Sequence, residues 1–171
     1  MAKKPTLYLE SSVVSYLTNR LSRDLIVAGH QQITQEWWET SRQGFDIYVS
    51  EAVLREIQRG DSDAAARRAS AVQGFPVLAA TEESEDLART YQEKLGLPPD
   101  AELDAIHLAF SVAYQMGYLL TWNCAHLANG VVIRRLHVLN ETMGRPTPII
   151  ITPEGLLVPP GRREHVERPD C

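Results

Sequence analysis

The sequence predicts an α/β fold with a parallel sheet flanked by helices on both faces. Short apolar runs rich in β-favouring residues alternate with segments whose apolar residues recur at helical spacing, and parallel strands need such crossovers. At 171 residues and 44% hydrophobic content the chain suffices for one well-filled core and is short for two. One domain over residues 1–152 is therefore expected, followed by a tail over 153–171 that is poor in large apolar groups and expected to be mobile.

The elements follow in order. "TLYL" (6–9) reads as a strand, and "SSVVSYL" after it opens with serines able to cap a helix. "LIVAGHQQITQEWWETSRQ" (25–43) repeats apolar residues at helical spacing through Ile26, Ile33 and Trp37. "DIYV" (46–49) is a second strand; Ser50 can cap "EAVLREIQRG", whose stripe is Val53, Leu54 and Ile57 and whose stop is Gly60. "DSDAAARRASAVQG" (61–74) is helical, "FPVLAA" (75–80) extended, and "TEESEDLARTYQEKLG" a capped helix with acids in its first turn. "LPPD" is a rigid connector to "AELDAIHLAFSVAYQMG" (101–117), a core helix with Leu103, Ile106, Phe110, Ala113 and Tyr114 on one face. "YLLTW" (118–122) is a strand, "NCAHLAN" (123–129) a turn into "VVIRRLHVLN" (131–140), and "PIIIT" (148–152) the last strand.

Composition narrows the function. With 17 basic and 22 acidic residues the formal charge is -5, which argues against holding nucleic acid by bulk attraction to phosphate. A polynucleotide substrate stays open, because carboxylates gathered around a divalent cation look acidic until the ion reverses the local sign. The basic groups Arg20 with Arg23, Arg55 with Arg59, Arg67 with Arg68 and Arg134 with Arg135 read as solvated helix faces rather than phosphate cradles. Cys124 and Cys171 make no disulfide framework and no basic-then-apolar leader opens the chain, so a reducing cytoplasm is expected. Apolar stretches fall short of the roughly 20 residues that span a bilayer, so a soluble protein without membrane contact is expected. No phosphate-cradling glycine loop is present.

In open parallel sheets chemistry gathers at the carboxyl ends of strands. Glu10 ends the first strand, Asn123 lies just beyond "YLLTW", Asp104 sits in the first turns of the preceding helix, and Glu51 and Glu56 follow the second strand. Clustered carboxylates repel by several kcal/mol at short range unless an ion or a proton intervenes. Mg²⁺ or Mn²⁺ would hold oxygen donors together and serve phosphodiester hydrolysis. Asp104 reads equally as a helix-start acid favoured by the dipole. Glu10, at the inner end of a buried strand, must be paired, neutral or metal-bound. Glu51 and Glu56 flank the apolar stripe at similar angles, so periodicity does not choose between them.

"YLESSVVSYL", "SEAVLREIQRG", "ELDAIHLAF" and "LLTWNCAHLAN", in that order, resemble the four signature segments of PIN-domain nucleases, and the match is nearest to VapC-type toxins of bacterial toxin–antitoxin modules. The resemblance covers residues 6 to 152. It implies a three-layer α/β/α PIN-like fold with a mostly parallel central sheet of about five strands. It also implies Mg²⁺- or Mn²⁺-dependent endoribonuclease activity on RNA, a cognate antitoxin protein as partner, and a homodimer. Carried over residue by residue, the acids are Glu10 where Asp is usual, Glu56 in "REI" and Asp104 in "DAIHLA"; Asn123 in "TWN" stands where Asp is usual. Glu10, Glu56 and Asp104 are the implied metal ligands, and Asn123 the fourth catalytic position. Glu10 adds a methylene, about 1.5 Å of reach, and Asn123 removes a charge that a second ion would need. A module that binds RNA or a protein partner with weak catalysis is the alternative these two departures leave.

Supporting residues keep more than one reading. Ser12 is a helix cap or a hydroxyl at the site, and Thr121 belongs to the same fourth segment. His107 falls on an apolar helix face, which fits a core imidazole, a neighbour of the ligands, or, with Asp104 and His126, a zinc ligand. Trp37 is expected in the core, Trp38 at a partner surface, and Cys124 as a small buried hydrophobe.

Overall fold

The structure, a computed structural model, describes residues 3–157. Strands β1 (Thr6–Leu9), β2 (Asp46–Ser50), β3 (Val77–Leu78), β4 (Tyr118–Leu120) and β5 (Ile149–Ile151) pair in parallel in the order β3-β2-β1-β4-β5. Helices α1 (Ser11–Thr18) and α2 (Leu25–Thr40) form the first crossover, α3 (Glu51–Ile57) and α4 (Ser62–Val72) the second, α5 (Glu82–Lys94) and α6 (Glu102–Ala113) the third, and α7 (Gly130–Thr142) the fourth. Leu7, Tyr8 and Leu9 are all fully buried. Successive strand residues point to opposite faces, so both faces of β1 are covered and the fold has three layers.

The chain winds outward from β1 to β3 and then returns to β1's other side at β4, paired Leu7↔Tyr118 through Leu9↔Leu120. The crevice at such a reversal lies beyond the carboxyl ends of the two strands. Here Glu10 and Thr121 are the next residues, and the Glu10 amide still donates to the Leu120 carbonyl at 3.1 Å. Gly117 admits the close approach of β4 to β1: a Cβ there would come within 3.2 Å of the Thr6 carbonyl.

Most elements form where the sequence places them, and the departures have local causes. α1 is capped by Glu10, whose carboxylate accepts from the Ser12 amide at 3.0 Å, and not by the serines. Ser50 caps α3 as expected, and Thr81 caps α5 in a reciprocal box with Ser84. β4 stops at Leu120 and the turn at 124–127 precedes α7, because Asn123 folds back: its carbonyl takes the Leu127 and Ala128 amides.

α2 hides two polar residues beside Trp37. Ile26 is 72% exposed, while Gln31, Thr34 and Trp37 are buried. Gln31 serves Arg20 O and Ser22 N, and Thr34 accepts the Trp122 indole N–H at 2.7 Å, so this face satisfies the polar groups it covers. α6 is buried nearly all round, at Ala105, His107, Leu108, Ala109, Phe110, Ser111 and Val112, because the sheet and α5 enclose it from two sides.

Arg68 corrects the reading of solvated basic faces. It is buried, donating from Nε to Ile57 O at 2.8 Å and from Nη2 to Arg59 O at 2.5 Å, which satisfies carbonyls at the end of α3. Trp37 is fully buried; Trp38 is half-buried against Phe75 with Arg42 over its ring, and not a free partner surface. Cys124, expected in the interior, is exposed on its turn. The stretch expected as a tail opens with a 3-10 turn, Pro153–Leu156, packed on α2, and residues 158–171 lie outside the described residues. Among the described residues no helix is long and apolar enough to cross a membrane.

Candidate metal centre

Glu10 leaves β1 with its side chain 6% exposed and turned back over the start of α1. Oε1 accepts from the Ser11 hydroxyl at 2.7 Å and the Ser12 amide at 3.0 Å; Oε2 accepts from the Ser12 hydroxyl and from Thr121 Oγ1 at 2.7 Å. Four donors match the four lone pairs of a carboxylate. A buried charge that carries this many hydrogen bonds is not orphaned even without an ion. An incoming cation has to turn a hydroxyl aside, which Ser11, Ser12 and Thr121 can do by rotating a single proton.

α3 delivers Glu56 and α6 delivers His107. His107 Nε2 lies 2.6 Å from Glu56 Oε2 and 3.9 Å from Glu10 Oε1. Among the described residues Glu10, Glu56 and His107 offer ligand atoms that all fall within 4.8 Å of one another. Two carboxylate oxygens and an imidazole nitrogen form a donor set suited to a divalent ion, so the residues present fit one. Glu51, the alternative that periodicity allowed, is exposed and accepts from the Ala80 amide at 3.1 Å, away from this group.

The other ring nitrogen of His107 is 2.7 Å from Tyr8 Oη, which is 2.7 Å from Ser50 Oγ. Burial, helped by Glu10 and Glu56, pushes the Tyr8 phenol well above its usual range and keeps it neutral. Burial opposes charge on His107, but Glu56, with Glu10 and Asp104, outweighs it and raises the imidazole above its ordinary value. Burial likewise acts to raise the Glu56 carboxyl, yet the His107 imidazole, with help from Ser11 and Arg59, holds it below the carboxylate range. Each partner thus favours the charged form of the other.

Asp104 and Asn123 stand beside this group and engage each other. Asn123 Nδ2 donates to Asp104 Oδ1 at 2.8 Å, and His126 Nδ1 lies 2.7 Å from Asp104 Oδ2. The Asn123 amide orientation follows from its Oδ1, which accepts the His126 amide at 3.0 Å. Burial, reinforced by Glu10, raises the Asp104 carboxyl despite His126 and His107. Glu10 and Glu56 therefore converge, while Asp104 is outside the mutually close ligand atoms and His107 is inside. His107 and His126 serve different carboxylates and do not join Asp104 in a zinc site.

A cluster beside Asn123 had no signal in the sequence. Trp122 stacks on His30 with centroids 4.1 Å apart, and Tyr16 meets both edge-on. The Tyr8–His107 link also escapes pattern reading, since Tyr8 counts only as one more residue of a buried strand.

No family model and no curated protein sequence matches the chain. In structure it is similar to a chain of VapBC2 from Rickettsia felis, solved bound to a DNA fragment from their promoter. The sequences are 15% identical, the TM-score is 0.55, and the superposition covers 86% of this chain and 98% of that one. That likeness is one of fold: the chain has a three-layer α/β/α architecture with a five-stranded parallel sheet.

Proposed function

We propose that the chain is a divalent-metal-dependent endoribonuclease, the toxin of a VapBC-type toxin–antitoxin module in the cytoplasm, with RNA as substrate. Its other partners are a cognate antitoxin protein and a second copy of the chain. The observation that carries this reading is the convergence of Glu10, Glu56 and His107 on one rim, at the reversal point of a fold shared with a VapBC2 chain. The order of the four sequence segments supports it.

A divalent ion such as Mg²⁺ or Mn²⁺, held at this rim, would supply Lewis-acid activation of water and a positive field for the charge that develops on phosphate. Glu10 and Glu56 would hold the ion, and Ser11, Ser12 and Thr121 keep the Glu10 carboxylate in one orientation. Asp104, steadied by Asn123 and His126, adds negative potential beside the carboxylates. His126, a third exposed, is a side chain at the rim free to meet a phosphate oxygen.

The test is cleavage of structured RNA by purified protein with Mn²⁺ or Mg²⁺, followed by chelation. Cleavage that needs the ion and is lost in Glu56→Ala supports the reading. Equal cleavage by chelated protein overturns it. The second reading, an RNA- or partner-binding module of weak catalysis, is favoured by one observation: the Asp104 carboxylate is already met by both Asn123 and His126. RNA retained on the protein but uncut with either ion would select that reading.

A further inference from the structure

We propose that His107 binds the ion directly through Nε2, so that the centre is a mixed site of two carboxylates and one imidazole that prefers Mn²⁺ to Mg²⁺. This deepens the metal-dependent reading above and rests on it. Nε2 is the atom that faces Glu56 at 2.6 Å and Glu10 at 3.9 Å; His107 and Glu10 are buried and Glu56 is partly exposed at the rim. Asp104, the oxygen donor expected to complete the set, has each of its oxygens met by a neighbour, Asn123 or His126.

A ligating imidazole needs its second ring N–H held by an acceptor, which fixes both tautomer and ring plane. Tyr8 Oη stands at that position, 2.7 Å from Nδ1. The phenol can accept the Nδ1 proton and donate its own to Ser50 Oγ, 2.7 Å beyond. Ser50 in turn caps α3, taking the Val53 amide at 3.2 Å, and α3 carries Glu56. One chain of hydrogen bonds thus aims Nε2 and anchors the helix of the neighbouring ligand. Without an ion the opposite polarity closes equally well: Nε2 donates to Glu56, Nδ1 accepts from Tyr8, and Tyr8 accepts from Ser50. The two states differ by rotation of the Tyr8 and Ser50 hydroxyl protons and by the imidazole tautomer, one proton lost from Nδ1 and one taken up at Nε2, and no heavy atom of Tyr8 or Ser50 has to move.

An imidazole ligand has a consequence for the choice of ion. Mg²⁺ holds to oxygen donors and its waters, whereas Mn²⁺ accepts nitrogen as well. The ion alone is the probe. Metal-free full-length protein is loaded with Mn²⁺, and the nitrogen hyperfine coupling of the bound ion is read by pulsed electron paramagnetic resonance. A directly bound imidazole gives a nitrogen coupling that changes when histidine is ¹⁵N-labelled, survives His126→Gln and disappears in His107→Gln. Tyr8→Phe, which removes the acceptor at Nδ1, weakens Mn²⁺ binding by roughly tenfold and by more than it weakens Mg²⁺ binding. Should His107→Gln fail to fold, the labelled wild type and His126→Gln still assign the nitrogen. Mn²⁺ bound without nitrogen coupling, or with a coupling lost in His126→Gln, overturns this inference and leaves the metal-dependent reading standing. No Mn²⁺ binding overturns both.

Discussion

His107 and Glu56, fifty-one positions apart in sequence, share a single contact of 2.6 Å between Nε2 and Oε2. The imidazole is almost wholly buried and the carboxylate is 19% exposed, so water screens the pair weakly. Each partner shifts the other toward its charged form.

The contact makes stability depend on pH in a definite direction. A histidine whose folded value is raised contributes stability that is complete below its ordinary value of 6.5 and is lost as pH rises through the folded value. Glu56, lowered from 4.5, contributes stability present above that value and lost as pH falls through the folded one. The melting temperature of metal-free protein should therefore fall at both ends and be highest between these two transitions. His107→Gln should remove the fall on the alkaline side; an unchanged alkaline slope would refute the pairing.

Glu10 is both a candidate ligand and the cap of α1. Glu10→Ala strips a cap and leaves the hydroxyls of Ser12 and Thr121 without their acceptor, a cost on the order of 2 kcal/mol. Loss of RNA cleavage in that variant is informative only beside a melt. Thermal denaturation followed by circular dichroism should show a clear drop in midpoint, and an unshifted midpoint would contradict the hydrogen bonds drawn to this carboxylate.

Asn123→Asp replaces a donor by an acceptor 2.8 Å from Asp104 Oδ1. In the absence of metal two carboxylates then face each other, and the melting temperature should drop. Added Mn²⁺ should raise it by more than it raises the wild type, because a further oxygen donor has been restored at the rim. An equal metal-induced rise in both proteins would place position 123 outside reach of the ion.

Arg68→Met should destabilise the fold by about 2 kcal/mol, since the Ile57 and Arg59 carbonyls lose their guanidinium partner. The same loss loosens the end of the helix that presents Glu56. Chemical denaturation gives the first quantity, and Mn²⁺ titration of the folded variant gives the second as weakened binding.

How far these features could be read in advance differs by kind. Strands and crossovers followed from periodicity, and Glu10 drew notice because a carboxylate at the end of "TLYL" has to be satisfied. Glu56 could be preferred to Glu51 only through resemblance; in three dimensions α3 turns Glu56 toward His107 on α6 and Glu51 toward the Ala80 amide. His107 looked like an interior residue, and it is interior, yet its two nitrogens bridge Tyr8 and Glu56. Arg68 was misjudged because its neighbour Arg67 is exposed and pattern alone treats the two alike. Contacts of this sort depend on which helix face meets which neighbour, and that is settled by packing across the sheet.

Glu10 receives a hydrogen bond from Thr121, 111 positions further along. During synthesis the N-terminal two-thirds of the chain emerges first, carrying the acid without the strand that fixes it. Until β4 has cleared the ribosome and docked beside β1, Glu10 lacks its Thr121 partner, so the nascent chain completes this rim only once translation of the described fold is nearly finished.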